Sequence, residues 1–186
     1  MLSLIVPTKR SSLDALKQSI AYNTRMPYQL LIASGDDGFT AKINKCIRQA
    51  KGDYLIFLHD DAEVLPNWVD ILPEHVGAFC LGENNDTFET WGGFISPPAY
   101  CTDPRLSPDY SYWLCISKEA MSKIGQFDEK FTEPMYQDCD MGLTIRKAGF
   151  VIECLPGKII HRNGEGSGAP HERQRAYLNR KWSINL

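Results

Sequence analysis

Apolar residues in the first third of the chain come in short unbroken runs, separated by stretches with helical spacing. Residues 2–6, LSLIV, form the first run and stop at Pro7. Residues 29–33 form the second, ending in Ser34-Gly35-Asp36-Asp37-Gly38, and residues 54–58 form the third. Runs this short, without polar alternation, mark strands covered on both faces, as in a parallel sheet. Between the first two, Leu13, Leu16 and Ile20 recur on one helical face behind Ser11 or Ser12, either of which can cap a helix to about Tyr22. Ile43 and Ile47 do the same over residues 40–50. Strand, helix, strand, helix, strand is the βαβαβ order of a nucleotide-binding half-domain.

The pattern then loosens. Residues 67–108 are rich in Pro, Gly and Asn and carry scattered aromatics, among them Trp68, Trp91, Phe94 and Tyr100. Short strands and long loops are expected there. Residues 112–116 read as a strand and 118–124 as a helix. Residues 138–147 read as a helix with an acidic first turn and Gly149 just past its end. Two short strands are expected at 151–155 and 159–161, a glycine-rich loop at 163–169 and a closing helix at 172–184. The spacing predicts one α/β domain with a mostly parallel central sheet and helices on both faces. It divides into a nucleotide-binding half (1–66), a second half (67–162), and a loop with a C-terminal helix (163–186).

Composition adds limits. The chain has 186 residues, 43% hydrophobic and 23% charged, enough for a sizeable core. A net charge of -3 excludes polyanion binding by bulk charge. From Lys158 onward, however, six Lys or Arg face only Glu165 and Glu172, which reads either as a basic patch or as a solvated helix face. The six cysteines, Cys46, Cys80, Cys101, Cys115, Cys139 and Cys154, are scattered without a CxxC pair. That argues against a zinc site or a disulfide framework, and a reducing cytoplasm is the expected compartment. MLSLIVPTKR has no charged leader, so no signal peptide is expected, and no apolar stretch is long enough to span a bilayer.

The densest chemistry lies in LIFLHDDAEVLP, residues 55–66. A buried strand ends abruptly in His59, Asp60 and Asp61, and in open α/β sheets ligands lie beyond the carboxyl ends of strands. Two adjacent carboxylates there repel unless a cation joins them. Mg²⁺ or Mn²⁺, which favour carboxylate and phosphate oxygens, suit the pair, and a substrate phosphate completes the shell. The alternative is a capped turn. Gln137-Asp138-Cys139-Asp140 opens a helix far along the chain, where Asp is also an ordinary cap. Converging with Asp60 and Asp61, it supplies the free carboxylate that a metal-assisted displacement needs as general base. His161, at another strand end, is a candidate third metal ligand. The loop 163–169 lacks the P-loop spacing and reads as a lid over the site.

These blocks, in this order, resemble a family 2 glycosyltransferase of GT-A fold over nearly the whole chain. LSLIVPTKR is similar to that family's first strand, KGDYLIFLHDDAEVLPNW to its Gly-Asp-Tyr strand and DxD motif, and GQFDEKF with QDCDMGLTIRKAGF to its acceptor-side block. The resemblance implies that Pro7 and Thr8, with Asp36 or Asp37, hold the base and ribose of a nucleoside diphosphate. It implies that Asp61 is the metal-ligating acid of the DxD motif, with Asp60 its middle residue, that Asp138 is the catalytic base and that His161 can bind the metal. His59 stands where the motif's first Asp is usual, and Gln137 where a Glu usually precedes the base. The implied activity is inverting transfer of a sugar from a nucleoside diphosphate sugar, UDP-linked by preference, to an acceptor hydroxyl, with Mn²⁺ or Mg²⁺. The acceptor is a glycan, a lipid, a protein or a modified nucleic acid base. Arg162, Arg180 or Lys181 adds positive charge at the diphosphate. The rival readings are a non-catalytic nucleotide-sugar-binding relative and a sugar-nucleotide nucleotidyltransferase. The second wants a glycine-rich first loop, which Pro7-Thr8-Lys9-Arg10 is not.

Overall fold

A computed structural model of the chain describes residues 1–70, 72–83, 114–133, 136–150, 152–161 and 172–184. The βαβαβ start is as expected: β1 (Leu2–Pro7), α1 (Asp14–Asn23), β2 (Tyr28–Ala33), α2 (Phe39–Gln49) and β3 (Tyr54–Phe57). The chain continues through β4 (Ala62–Val64), β5 (Ala78–Glu83), β6 (Leu114–Ser117), α3 (Lys118–Ile124), α4 (Gln137–Lys147), β7 (Ile152–His161) and α5 (Glu172–Trp182). The strands make one sheet in the order β2-β1-β3-β6-β5-β7-β4. β1, β2 and β3 pair in parallel, and so do β5 and β7, whereas β6 is antiparallel to both β3 and β5 and β4 is antiparallel to β7. Five of the seven strands therefore point the same way, and β6 and β4 run against them.

Alternate residues of the strands feed two cores, one on each face. Ile5, Leu55, Phe57 and Ile116 meet Ile43 and Cys46 of α2, Met121 and Ile124 of α3, and Met141 and Ile145 of α4. Leu2, Leu4, Val6, Ile56 and Leu58 meet Leu16 and Ile20 of α1, together with Trp68 and Val69. Trp68 is fully buried and donates its Nε1 hydrogen to Thr24 Oγ1 at 2.9 Å, so its one polar atom is satisfied. A smaller cluster seats α5, with Leu178 packed against Phe131, Tyr136 and Cys139.

Gly52 shows why the turn into β3 takes that residue. A Cβ there would lie 2.5 Å from the carbonyl carbon of Leu2 and 2.5 Å from the amide nitrogen of Ser3. The close approach lets the Gly52 amide donate to Ser3 Oγ at 2.9 Å, satisfying a hydroxyl in the middle of a fully buried strand.

Three sequence expectations are corrected. The strands expected at 151–155 and 159–161 are one strand, β7. Leu81 and Glu83 of β5 oppose Leu155 and Ile159, so Pro156-Gly157 is absorbed in a bulge. The short strand β4 had no counterpart in the pattern; three residues are too few to show a period. Neither Ser11 nor Ser12 is the cap of α1, which begins after Leu13, although Ser12 Oγ accepts from the Asp14 amide at 3.3 Å. Ile47 is only partly buried against the core. Trp91, Phe94, Tyr100, Arg162 and the loop 163–169 lie outside the described residues.

Candidate active site

The carboxyl ends of β1, β2 and β3 lie side by side and set the site's position. Register pairs Pro7 with Ala33 and Ile5 with Phe57. The Thr8 amide donates to Ala33 O at 3.1 Å, which brings Thr8 against the start of the loop carrying Asp36 and Asp37. Both aspartates are exposed, and Gly35 turns the chain with φ +110°. The buried Lys42 of α2 reaches back to donate to Gly35 O at 3.2 Å, fastening that loop. Pro7, Thr8, Asp36 and Asp37 thus share one edge of the sheet.

Asp60 and Asp61 follow β3 at the same edge. The Arg10 amide donates to Thr8 Oγ1 at 2.8 Å, and the Thr8 hydroxyl donates to Asp60 Oδ2 at 2.6 Å. Arg10 Nε donates to Asp60 Oδ1 at 3.0 Å, and its Nη2 lies 3.5 Å from Asp61 Oδ2. The paired acids therefore meet a cation, as their repulsion demands, and it is the guanidinium of Arg10. Sequence reasoning passed over Arg10, because only the parallel pairing of β1 with β3 brings residues 10 and 60 together. The backbone adds His161: β4 pairs Ala62 with His161, so His161 is opposite the residue that follows Asp61.

The start of α4, which carries Asp138, is fixed through the loop before it. The Phe39 amide at the start of α2 donates to Thr132 O at 2.9 Å, and Thr40 Oγ1 donates to Phe131 O at 2.8 Å. Asn44 takes the Phe127 amide and returns its own Nδ2 hydrogen to Phe127 O. The loop before α4 is thereby stitched to the amino end of α2, which begins just past the carboxyl end of β2. Tyr136, buried with φ 65°, then turns the chain into α4. The Asp138 side chain is half-buried and accepts the Cys139 amide at 3.0 Å. Burial pushes its pKa up to about 6, partly offset by the backbone hydrogen bonds. A carboxylate tuned toward neutrality suits proton abstraction near pH 7.

Asp140, two residues along α4, turns to α5 instead. Its side chain is 4% exposed, accepts Trp182 Nε1 at 2.7 Å and pairs with Lys181 Nζ at 2.7 Å. Lys181 also reaches Asp128 Oδ2 at 2.8 Å, where Tyr177 Oη donates at 2.7 Å. Lys181, expected at the diphosphate, is thus committed to two carboxylates that fasten α5 to α4. Burial alone lowers an ammonium's pKa, but the hydrogen bonds to Asp128 and Asp140 outweigh it and hold Lys181 above the ordinary lysine value. Arg180 is exposed and lies over the Tyr177 ring, 5.7 Å from its centroid.

Asp60 and Asp61 offer hard oxygen donors at a ligand-binding sheet edge and already hold one cation, so the donor set fits Mn²⁺ or Mg²⁺. Among the described residues no three His, Cys, Asp or Glu side chains converge as a complete metal site.

The architecture and this edge define a GT-A domain. It superimposes on the catalytic domain of Drosophila beta1,4-galactosyltransferase 7 in complex with xylobiose, with a TM-score of 0.65 and 14% identity, over 96% of this chain and 79% of that one. The same enzyme in complex with manganese, UDP-Gal and xylobiose gives 0.63 and 14%, over 94% and 79%. TarS of S. aureus gives 0.63 and 12%, over 99% of this chain and 44% of that one. At such identities the likeness establishes the fold. In sequence, residues 14–79 match the Glycosyl transferase family 2 profile, a segment running from α1 through the Asp60–Asp61 pair into β5. No curated protein matches the chain in sequence. Among the described residues no helix is long and apolar enough to cross a membrane.

Proposed function

We propose that this chain is an inverting glycosyltransferase that moves a sugar from a nucleoside diphosphate sugar, UDP-linked by preference, to an acceptor hydroxyl. The observation that carries the reading is the half-buried Asp138 carboxyl at the start of α4, whose pKa burial raises to about 6. In this reading residues 1–66 hold the donor, residues 67–162 supply the acceptor side and the base, and α5 braces the helix that carries the base.

Pro7, Thr8 and Asp36 or Asp37 bind and orient the base and ribose. Asp138, ionised above its raised pKa, takes the proton from the acceptor hydroxyl as that oxygen attacks the anomeric carbon opposite the diphosphate. The sugar–phosphate bond breaks, and the proton rests on Asp138. Asp61 and Asp60, with His161, would hold Mn²⁺ or Mg²⁺, which when bound neutralises charge on the departing diphosphate. Arg162 and Arg180 are the cations proposed for the outer phosphate oxygens. Lys181 serves by holding α4. The neighbour's complex with manganese and UDP-Gal supports this choice of donor and ion. Cys46, Cys115 and Cys139 are buried thiols, which supports a reducing cytoplasm as the working compartment.

A donor panel with radiolabelled sugars, read for transfer to mixed glycan, lipid and peptide acceptors, tests the activity. Asp138→Asn is expected to keep UDP affinity and to lose about 10²-fold or more in turnover. Near-normal turnover in that variant moves the base elsewhere. Nucleotide binding without transfer to any acceptor returns the chain to the non-catalytic reading.

A further inference from the structure

The Asp60–Asp61 pair is closed by a cation that the chain itself supplies. Arg10, Thr8 and Asp60 form a ring of contacts. The Arg10 amide fixes the Thr8 hydroxyl, that hydroxyl is spent on one oxygen of Asp60, and Arg10 Nε takes the other. The end of the same guanidinium extends to Asp61. The acids are well shielded, at 20% and 10% side-chain exposure, while Arg10 is 49% exposed. The cation is therefore the loose member: it can swing into solvent while both carboxylates stay in place.

We propose that Arg10 is the resting counter-ion of this pair, that a divalent cation enters by displacing it, and that the freed guanidinium is taken up by the donor's diphosphate. The inference rests on the metal assignment given under Proposed function. The chemistry favours an exchange over a shared site. A guanidinium and a divalent ion on the same two carboxylates repel each other, and both need the same oxygen lone pairs. A diphosphate gives the displaced arginine a planar, bidentate anionic partner. Ion and nucleotide then bind cooperatively, because each removes a cost the other would meet alone. A pair whose charge is half offset at rest also attracts stray cations less when no donor is present.

Calorimetric titration of Mn²⁺ into the full chain, with and without UDP, tests this without any measurement of transfer. The proteins compared are wild type, Arg10→Gln and Arg10→Lys. Half-exposed ion pairs are weak, so without nucleotide Arg10→Gln is expected to bind Mn²⁺ only about fivefold more tightly than wild type. The factor by which UDP improves Mn²⁺ binding should fall by a similar amount. Arg10→Lys, which keeps the charge but not the fork, should lie between the two. Equal or weaker Mn²⁺ binding in Arg10→Gln overturns the proposal, as does an unchanged coupling to UDP or no Mn²⁺ binding to any of the three. The glycosyltransferase reading stands or falls separately: transfer that persists in chelator would retain it while removing the exchange.

Discussion

Lys181→Met should show how firmly α5 holds the helix that carries Asp138. The substitution keeps an unbranched side chain and removes the charge. It leaves Asp140, 4% exposed, with Trp182 as its hydrogen-bond donor, and Asp128 with Tyr177. Breaking a buried pair by removing one partner costs about 3–5 kcal/mol. Lys181 itself is 29% exposed, so water screens part of the interaction and about 2–3 kcal/mol is the better figure. For a domain of this size that is a fall in Tm of roughly 5–10 °C. The deficit should also depend on pH. Burial, partly countered by Lys181 and Trp182, holds the Asp140 carboxyl above the ordinary carboxylate value, and losing Lys181 raises it further. An acid whose pKa is raised in the folded state destabilises the fold when ionised, and the penalty fades as pH falls toward its unfolded value. At Asp128, hydrogen bonds from Lys181 and Tyr177 outweigh burial and hold the pKa low, so the stability it contributes is present above the ordinary value and is lost in acid. Asp140 therefore makes the variant's deficit largest near pH 7.5 and smaller near pH 5, while the loss at Asp128 is the same at both pH values. Thermal unfolding followed by circular dichroism at the two pH values reads this directly. A shift below about 1 °C, or the same shift at both pH values, would refute the account of a buried ion network.

Other outcomes follow from the site and the sheet. Asp61→Ala should leave the fold intact and abolish metal-dependent donor binding; unchanged UDP affinity with Mn²⁺ in calorimetry would remove the metal assignment. The rate of transfer should rise with pH and level off above about 6, since Asp138 acts only when ionised, and a profile flat from pH 5 to 8 would count against it as the base. Because the same shift makes ionised Asp138 costly to the fold, Asp138→Asn should melt above wild type at pH 7.5 and converge with it near pH 4. Gly52→Ala must push a Cβ into backbone atoms 2.5 Å away, and a loss of roughly 3 kcal/mol or more in chemical denaturation is expected; a loss under 1 kcal/mol would mean that the turn relaxes freely.

The βαβαβ half was legible because its signals are local. Runs such as LSLIV and YLIFL declare buried parallel strands, and the Asp pair declares itself by standing at the end of one. Helix α3 matches its expected bounds, with Ser117 Oγ accepting the Ala120 amide as its cap. What was hidden depends on tertiary pairing. Arg10 looks like any basic residue in a polar turn until β1 lies against β3. Lys181 looks like a free cation on a basic helix until α5 docks on Asp140. Pro156-Gly157 reads as a strand break, because a bulge can be recognised only when the partner strand is known. The raised pKa of Asp138 is likewise a product of burial, which no residue spacing announces.

The reversed direction of β6 has an architectural result. β5 runs with β3, so its last residue, Glu83, leaves the sheet at the edge that bears Asp60 and Asp61. β6 runs against them, and Leu114 re-enters from that same edge, beside the end of β3. The chain therefore leaves β5 and enters β6 on one and the same edge of the sheet. Lengthening a connection between fixed ends is thermodynamically inexpensive: each doubling adds only about 0.6 kcal/mol of closure entropy. The register of β1, β2 and β3 has no such latitude, because a slip there would disturb both cores. The fold thus joins a part whose length can change at little cost to a part whose every residue is tied to its neighbour.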